Sequence, residues 1–174
     1  MKLLFEIDLK NYDLNGTKFI RPSVRAVIVK DGRLAMVHSL KYDYYKFPGG
    51  GIEENEDHIS AIVREVREET GLEAVRESIK EYGYVHRIEK GDIEDVFIQD
   101  NYYYFCEVRS DRIVGQELDD YEAEEGFTLE YVLPEDAVRV NNEGEHYDAD
   151  EIMIKREALV ICELIKDGYF TGQL

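Results

Sequence analysis

The chain of 174 residues has no tryptophan, three prolines, three methionines and two cysteines. Two cysteines cannot build a disulfide framework, and Cys106 and Cys162 show no metal-ligand spacing. Both lie in apolar contexts and are expected to be buried free thiols. No apolar run approaches the roughly 18 residues of a membrane span, which argues against a membrane partner. The opening MKLLFEIDLK carries acids where a signal peptide needs a longer apolar core, so the cytoplasm is the expected location. Basic residues are scarce too: 21 Lys and Arg stand against 39 Asp and Glu, a net charge of −18. Such a field repels polyanions and makes nucleic-acid binding an unfavourable reading. It does not exclude a small phosphate ester that arrives with its own cation.

What is present fits one soluble globular domain over residues 1–174: 44% of residues are apolar, 34% are charged, and no repeat or low-complexity segment interrupts them. The chain is organised around Gly50 to Leu72, GGIEENEDHISAIVREVREETGL. Ile59, Ile62, Val63 and Val66 recur at i, i+3, i+4 and i+7, which predicts an amphipathic helix through the middle of this stretch. Gly71 stands where that helix needs a left-handed terminating residue.

The same periodicity places Glu65, Glu68 and Glu69 within roughly a 100° arc, on a face turned away from the apolar one. Like charges so close repel, and Arg64 and Arg67 are too few to offset them, so a divalent cation is expected. A hard ion with oxygen ligands, partly hydrated and shared with a substrate phosphate, describes Mg2+ or Mn2+. The glycines of Pro48-Gly49-Gly50-Gly51, just ahead, permit close backbone approach.

The full string G-x5-E-x7-R-E-V-x-E-E-x-G-L resembles an unbroken Nudix box, the signature of the Nudix (MutT-like) hydrolases, at fixed spacing from Gly50 to Leu72. The resemblance implies an α/β (α+β) sandwich, a mixed β-sheet flanked by helices with the box as loop-helix-loop. It also implies Mg2+- or Mn2+-dependent hydrolysis of a diphosphate linkage in a nucleoside diphosphate joined to another group. Carried over residue by residue, it makes Glu68 and Glu69 metal ligands and Glu65 a ligand or the base that activates water. It adds the Gly49 carbonyl and Glu56 to the metal shell, Glu56 alternatively holding Arg64, and has Arg64 orient the glutamates. The base in such proteins also comes from later loops, which brings in Glu124 and Glu125, Glu125 as a further ligand. A catalytically silent nucleotide-binding module of the same fold is the alternative reading, but all the box glutamates are retained here. Dimerisation is common among relatives, so a homodimer is compatible with the resemblance.

Around the box, residues 3–9 read as an edge strand. Residues 22–30 and 33–40 read as a hairpin about Asp31-Gly32. Arg25 lies on the face opposite Val24 and Ala26; an exposed strand arginine is the commoner fate, and contact with a phosphate is the functional one. Tyr42, Tyr44, Tyr45 and Phe47 lead into the glycine loop, where a tyrosine could stack on a base or sugar. Tyr44 and Lys46 are the substrate-contact candidates there, with Phe47 expected in the core. Residues 73–90 suggest one long or bent strand, 94–100 a bridge or short strand, and 101–108 a strand with Tyr102, Tyr104 and Cys106 on one face. The acidic stretch 116–127 reads as a mobile loop. A strand at 127–133, a short helix opened by Pro134 and a C-terminal helix over about 149–167 complete the chain. Candidate core positions in that last helix are Ile152, Ile154, Leu159, Ile161 and Leu164.

Overall fold

Asp31 and Gly32 both take left-handed backbone angles, φ 47° and 71°, which a two-residue hairpin turn requires. They join β4 (Val29–Lys30) to β5 (Arg33–Ser39) as the Asp-Gly pair predicts. The expected strand over 22–30 is divided, however: β3 (Ser23–Val27) pairs with another sheet, and the chain changes sheets at Ile28. This structure, a computed structural model, describes residues 1–109 and 115–170.

The remaining strands are β1 (Leu3–Asp8), β2 (Lys18–Ile20), β6 (Tyr44–Lys46), β7 (Lys80–Glu89), β8 (Val96–Phe105) and β9 (Phe127–Val132). One sheet is mixed. Strand β1 is its edge and runs parallel to β7, β7 is antiparallel to β8, and β2 and β3 follow one another along the far side of β8, parallel to it. The other sheet is antiparallel, with β5 between β9 on one side and β4 and β6 on the other.

Helix α1 (His58–Thr70) starts at Asp57, whose carboxylate accepts the Ser60 N–H at 2.8 Å, and ends at Gly71 with φ 71°. Its Ala61, Ile62 and Val66 pack with Val24, Ala26, Ala35 and Tyr104 into one core. On the opposite side, α3 (Pro134–Glu143) and α4 (Glu151–Lys166) close a second core around Met36, Phe47, Tyr103, Val160 and Leu164. Helices thus cover both faces, the sandwich that the order of elements implies. The faces of β8 separate as expected, Tyr104 and Cys106 toward α1, Tyr103 and Phe105 toward α4.

Several expectations are corrected. The stretch 116–127 holds a short helix, α2 (Asp120–Glu125), because Asp119 and Glu122 form a capping box and Gly126 supplies a left-handed end. Residues 73–90 contain a 3₁₀ turn at Arg76–Ser78 before β7 begins, and the bridge expected at 94–100 is the first part of β8. The Pro134 helix runs ten residues. In α4 the buried stripe runs through Ile154, Glu157, Ala158, Ile161 and Leu164. Leu159 and Cys162 fall off that stripe at helical spacing and are exposed.

Candidate active site

The glycine loop is held by the edge of β3. Ala26 N–H donates to the Pro48 carbonyl at 2.7 Å and Val24 N–H to the Gly50 carbonyl at 3.0 Å. Gly49 has φ 143°, and a Cβ there would lie 2.1 Å from the Val24 carbonyl oxygen, so only glycine fits. A Cβ on Gly50 would lie 2.5 Å from Glu65 Oε1, which places the loop directly over the helix carboxylates.

Arg64 is the hub of those carboxylates. Its Nε and Nη2 take both oxygens of Glu56 at 2.9 and 2.8 Å, while Nη1 donates to Glu65 at 2.7 Å and Glu68 at 3.1 Å. Nη2 also reaches the Gly51 carbonyl at 3.1 Å, tying the helix to the loop. Hydrogen bonding to Arg64 holds the Glu56 carboxyl below its ordinary range, and those same bonds push the guanidinium further from deprotonation.

Glu65 and Glu69 are 8% and 1% exposed and lie beneath the loop and β6. Burial raises both, Glu69 to about 7 in spite of Lys46 and Arg25. Lys46 and Glu69 form an ion pair, and the second Glu69 oxygen accepts the Gly49 N–H at 2.8 Å. Arg25 is buried rather than exposed on its strand and donates to the Gly49 carbonyl, while its Nε has no partner.

Beside these groups opens a cleft of about 950 Å³, to which Arg25, Tyr44, Lys46 and Glu125 all contribute. The Lys46 ammonium lies 4.7 Å from the centre of the Phe127 ring. Glu125 accepts from Ser39 Oγ at 2.9 Å and Tyr44 Oη at 2.8 Å. Glu124 points elsewhere, paired with Lys41 at the surface. Tyr42 borders the cleft, whereas Tyr45 turns to Glu130 and Phe47 enters the core. Sequence reasoning missed Phe19, Arg21, Arg87, Phe97 and Tyr121, which also line the cleft. Phe19, Arg21 and Arg25 share alternate parity along the chain, a signal available without the structure.

The donors at hand, the Gly49 carbonyl and the carboxylates of Glu65, Glu68 and Glu69, are all oxygen and suit a hard divalent ion. Among the described residues no three acidic or histidine side chains converge on one point, since Arg64 and Lys46 stand between them. Gly49 and Gly50 let the loop close directly onto β3 and the Glu65 carboxylate.

A mixed-sheet sandwich that carries a carboxylate-bearing loop-helix-loop, next to a cleft lined by both cations and carboxylates to which Glu56, Glu65, Glu68 and Glu69 do not contribute, defines the class. The family model of the NUDIX domain matches residues 20–154, and the chain belongs to that family. It is 46% identical over 54 residues to an RNA pyrophosphohydrolase of Hydrogenovibrio crunogenus, covering 30% of this chain and 33% of that protein. A second RNA pyrophosphohydrolase, of Halorhodospira halophila, is 42% identical over 53 residues, 30% of this chain and 29% of that one. The chain thus matches about a third of the length of these curated relatives. Among solved structures, a NUDIX hydrolase from Nitrosomonas europaea shares the fold with a TM-score of 0.59 at 18% identity, over 85% of this chain and 91% of that one.

Proposed function

We propose that the protein is a Mg2+- or Mn2+-dependent hydrolase that cleaves the diphosphate linkage of a nucleoside diphosphate joined to a further group. The observation that carries this is Arg64 gathering Glu56, Glu65 and Glu68 beneath a glycine loop, beside a cleft lined by Arg25 and Lys46. The Gly49 carbonyl with Glu56, Glu65, Glu68 and Glu69 would hold the metal, Glu125 being the further candidate from α2. When bound, the cation neutralises charge on the diphosphate oxygens and makes water easier to deprotonate. Glu65 would serve either as a ligand or as the base that takes that proton, and burial raises its proton affinity. Arg64 keeps Glu65 and Glu68 in position. Arg25 and Lys46 offset the charge that develops on the phosphoryl oxygens, and Tyr44 holds Glu125 at the cleft wall.

The names of the curated relatives support pyrophosphate-bond cleavage. The charge of −18 favours a small nucleotide over a long RNA as the substrate. A cytoplasmic setting belongs to this reading, and pairing of two copies is compatible with it. The test is release of phosphate and nucleotide from a panel of diphosphate compounds with Mg2+, with Mn2+ and with chelator, beside Glu68→Gln. Metal-dependent release by the wild type alone is expected; silence across the panel while nucleotides still raise the melting temperature would replace the hydrolase with a binding module.

A further inference from the structure

The last turn of α1 carries Glu68 and Glu69, and a helix leaves its final carbonyls without intrahelical donors. In this chain both carbonyls are met from the segment that leads into α2. Glu117 N–H donates to the Glu68 carbonyl at 2.8 Å, and Gln116 Nε2 donates to the Glu69 carbonyl, 47 residues away in sequence. Arg67 and Glu117 add an ion pair at 3.0 Å, but both side chains are mostly exposed and solvent screens it. The part-buried Gln116 amide is the stronger side-chain link.

The same nitrogen lies 3.4 Å from the Phe127 carbonyl, so one amide bridges the end of α1 and the start of β9. Contacts on the other side of Phe127 close a ring. The Lys46 ammonium lies over the Phe127 ring and pairs with the Glu69 carboxylate. Glu69 is thus tied to Phe127 twice, by its carbonyl through Gln116 and by its carboxylate through Lys46. Leu118 packs with Tyr44 and Phe127 in a third small core, which seats the segment between its hydrogen bonds and α2.

Glu125, at the end of α2, stands two residues before Phe127. Ser39 Oγ and Tyr44 Oη orient its carboxylate, and its carbonyl accepts the Lys41 N–H at 3.0 Å. These donors belong to β5, β6 and the turn between them. Among the described residues, the hydrogen bonds that join the stretch 116–125 to α1 are those of Gln116 and Glu117. We propose that Gln116 is a positioning residue: it holds the α2 segment against the last turn of α1, so that the Glu125 carboxylate and those of Glu68 and Glu69 serve one cation. This rests on the metal site of the hydrolase reading, in which Glu125 is the ligand supplied from outside the box.

The test is calorimetric titration of Mn2+ into chelator-treated protein, which needs no turnover. Glu125→Gln is expected to weaken Mn2+ binding about tenfold, the scale of a lost ligand or of a group that orients one. Gln116→Met, of similar length but without a donor, should weaken it by a comparable factor, and Gln116→Lys, which returns a donor, should recover most of the loss. In the Glu125→Gln background, Gln116→Met should cost less than about twofold more, because both changes act through one ligand. Gln116→Ala gives the same comparison where the methionine does not pack. Wild-type affinity in Gln116→Met or in Glu125→Gln, or fully additive losses in the double variant, overturns the proposal. Non-additive losses without hydrolysis of any diphosphate compound keep Gln116 in its role and remove the hydrolase reading; turnover with additive losses does the reverse.

Discussion

Glu157, fully buried on α4, accepts the backbone N–H of Phe47 at 2.8 Å and so holds the strand two residues before Gly49. The same carboxylate accepts from Tyr103 Oη at 3.0 Å and from Arg156 Nε and Nη2 at 2.9 and 2.8 Å. Asn141 on α3 fixes Tyr45, two residues before Phe47, taking its N–H and returning a donor to its carbonyl, both at 2.8 Å. The second helical layer thereby sets the position of the glycine loop, although it supplies no box residue.

Glu157→Gln should therefore cost about 3 kcal/mol in urea unfolding at neutral pH, because it leaves a buried arginine without its counter-charge. Burial pushes the Glu157 carboxyl up, but Arg156, Arg25 and the Phe47 N–H outweigh it and hold the group below its ordinary value of 4.5. A carboxyl depressed by folding contributes stability that is present above the unfolded value and lost as pH falls through the folded one. The gap between wild type and variant should accordingly narrow below about pH 4.5, where the wild type gives up that contribution. A gap that stays constant from pH 7 to pH 3 would show that the charge on Glu157 contributes nothing.

Glu68→Gln separates chemistry from folding. Its side chain is the most open of the three carboxylates hydrogen-bonded to Arg64, 34% exposed, so the melting temperature should move little. Turnover should fall at least about 100-fold, roughly 3 kcal/mol on the barrier. Near-normal turnover would remove Glu68 from the metal site.

Arg64→Lys keeps the charge but loses the planar fork that spans Glu56, Glu65, Glu68 and the Gly51 carbonyl. Stability should drop by about 2 kcal/mol, less than for a fully buried pair because the arginine is partly exposed. The Mg2+ concentration needed for half-maximal activity should rise as well. A lysine variant with unchanged metal dependence would show that Arg64 does not position the ligands.

Gly49→Ala and Gly51→Ala form a paired test of the loop. At Gly49 a methyl meets backbone at 2.1 Å with φ 143°, and no side-chain movement relieves it, so folding or activity should be lost. At Gly51 the nearest atoms, from 3.2 Å, belong to the flexible Arg21 side chain, and the change should be tolerated within about 1 kcal/mol. Equal behaviour of the two variants in thermal unfolding would contradict the loop geometry.

The box was legible because its signals are local. The apolar period and Gly71 mark α1 within one short stretch, and the glutamates inherit their spacing from it. The burial of Glu65 and Glu69 was not legible, since it depends on β6 and the glycine loop folding back over the helix. Arg25 looked like a surface residue for the same reason: its cover is a distant loop. The helix in 116–127 was missed because its acidic composition was weighed and its capping box was not. In α4, the apolar residues suggested a stripe through Leu159, whereas the buried pair Arg156 and Glu157 draws the packed face toward itself.

The bonds that steady the loop also bear on the order in which the protein forms. Phe47 reaches its partner Glu157 across 110 positions of sequence, and Tyr45 reaches Asn141 across 96. Contacts that far apart close late, because the entropy of the intervening chain must be overcome first. During folding, α1 with its full set of glutamates should exist before the loop above it is fixed. Pulse-labelling of amide hydrogens would register this as protection of the Ile62 and Val66 amides ahead of Phe47.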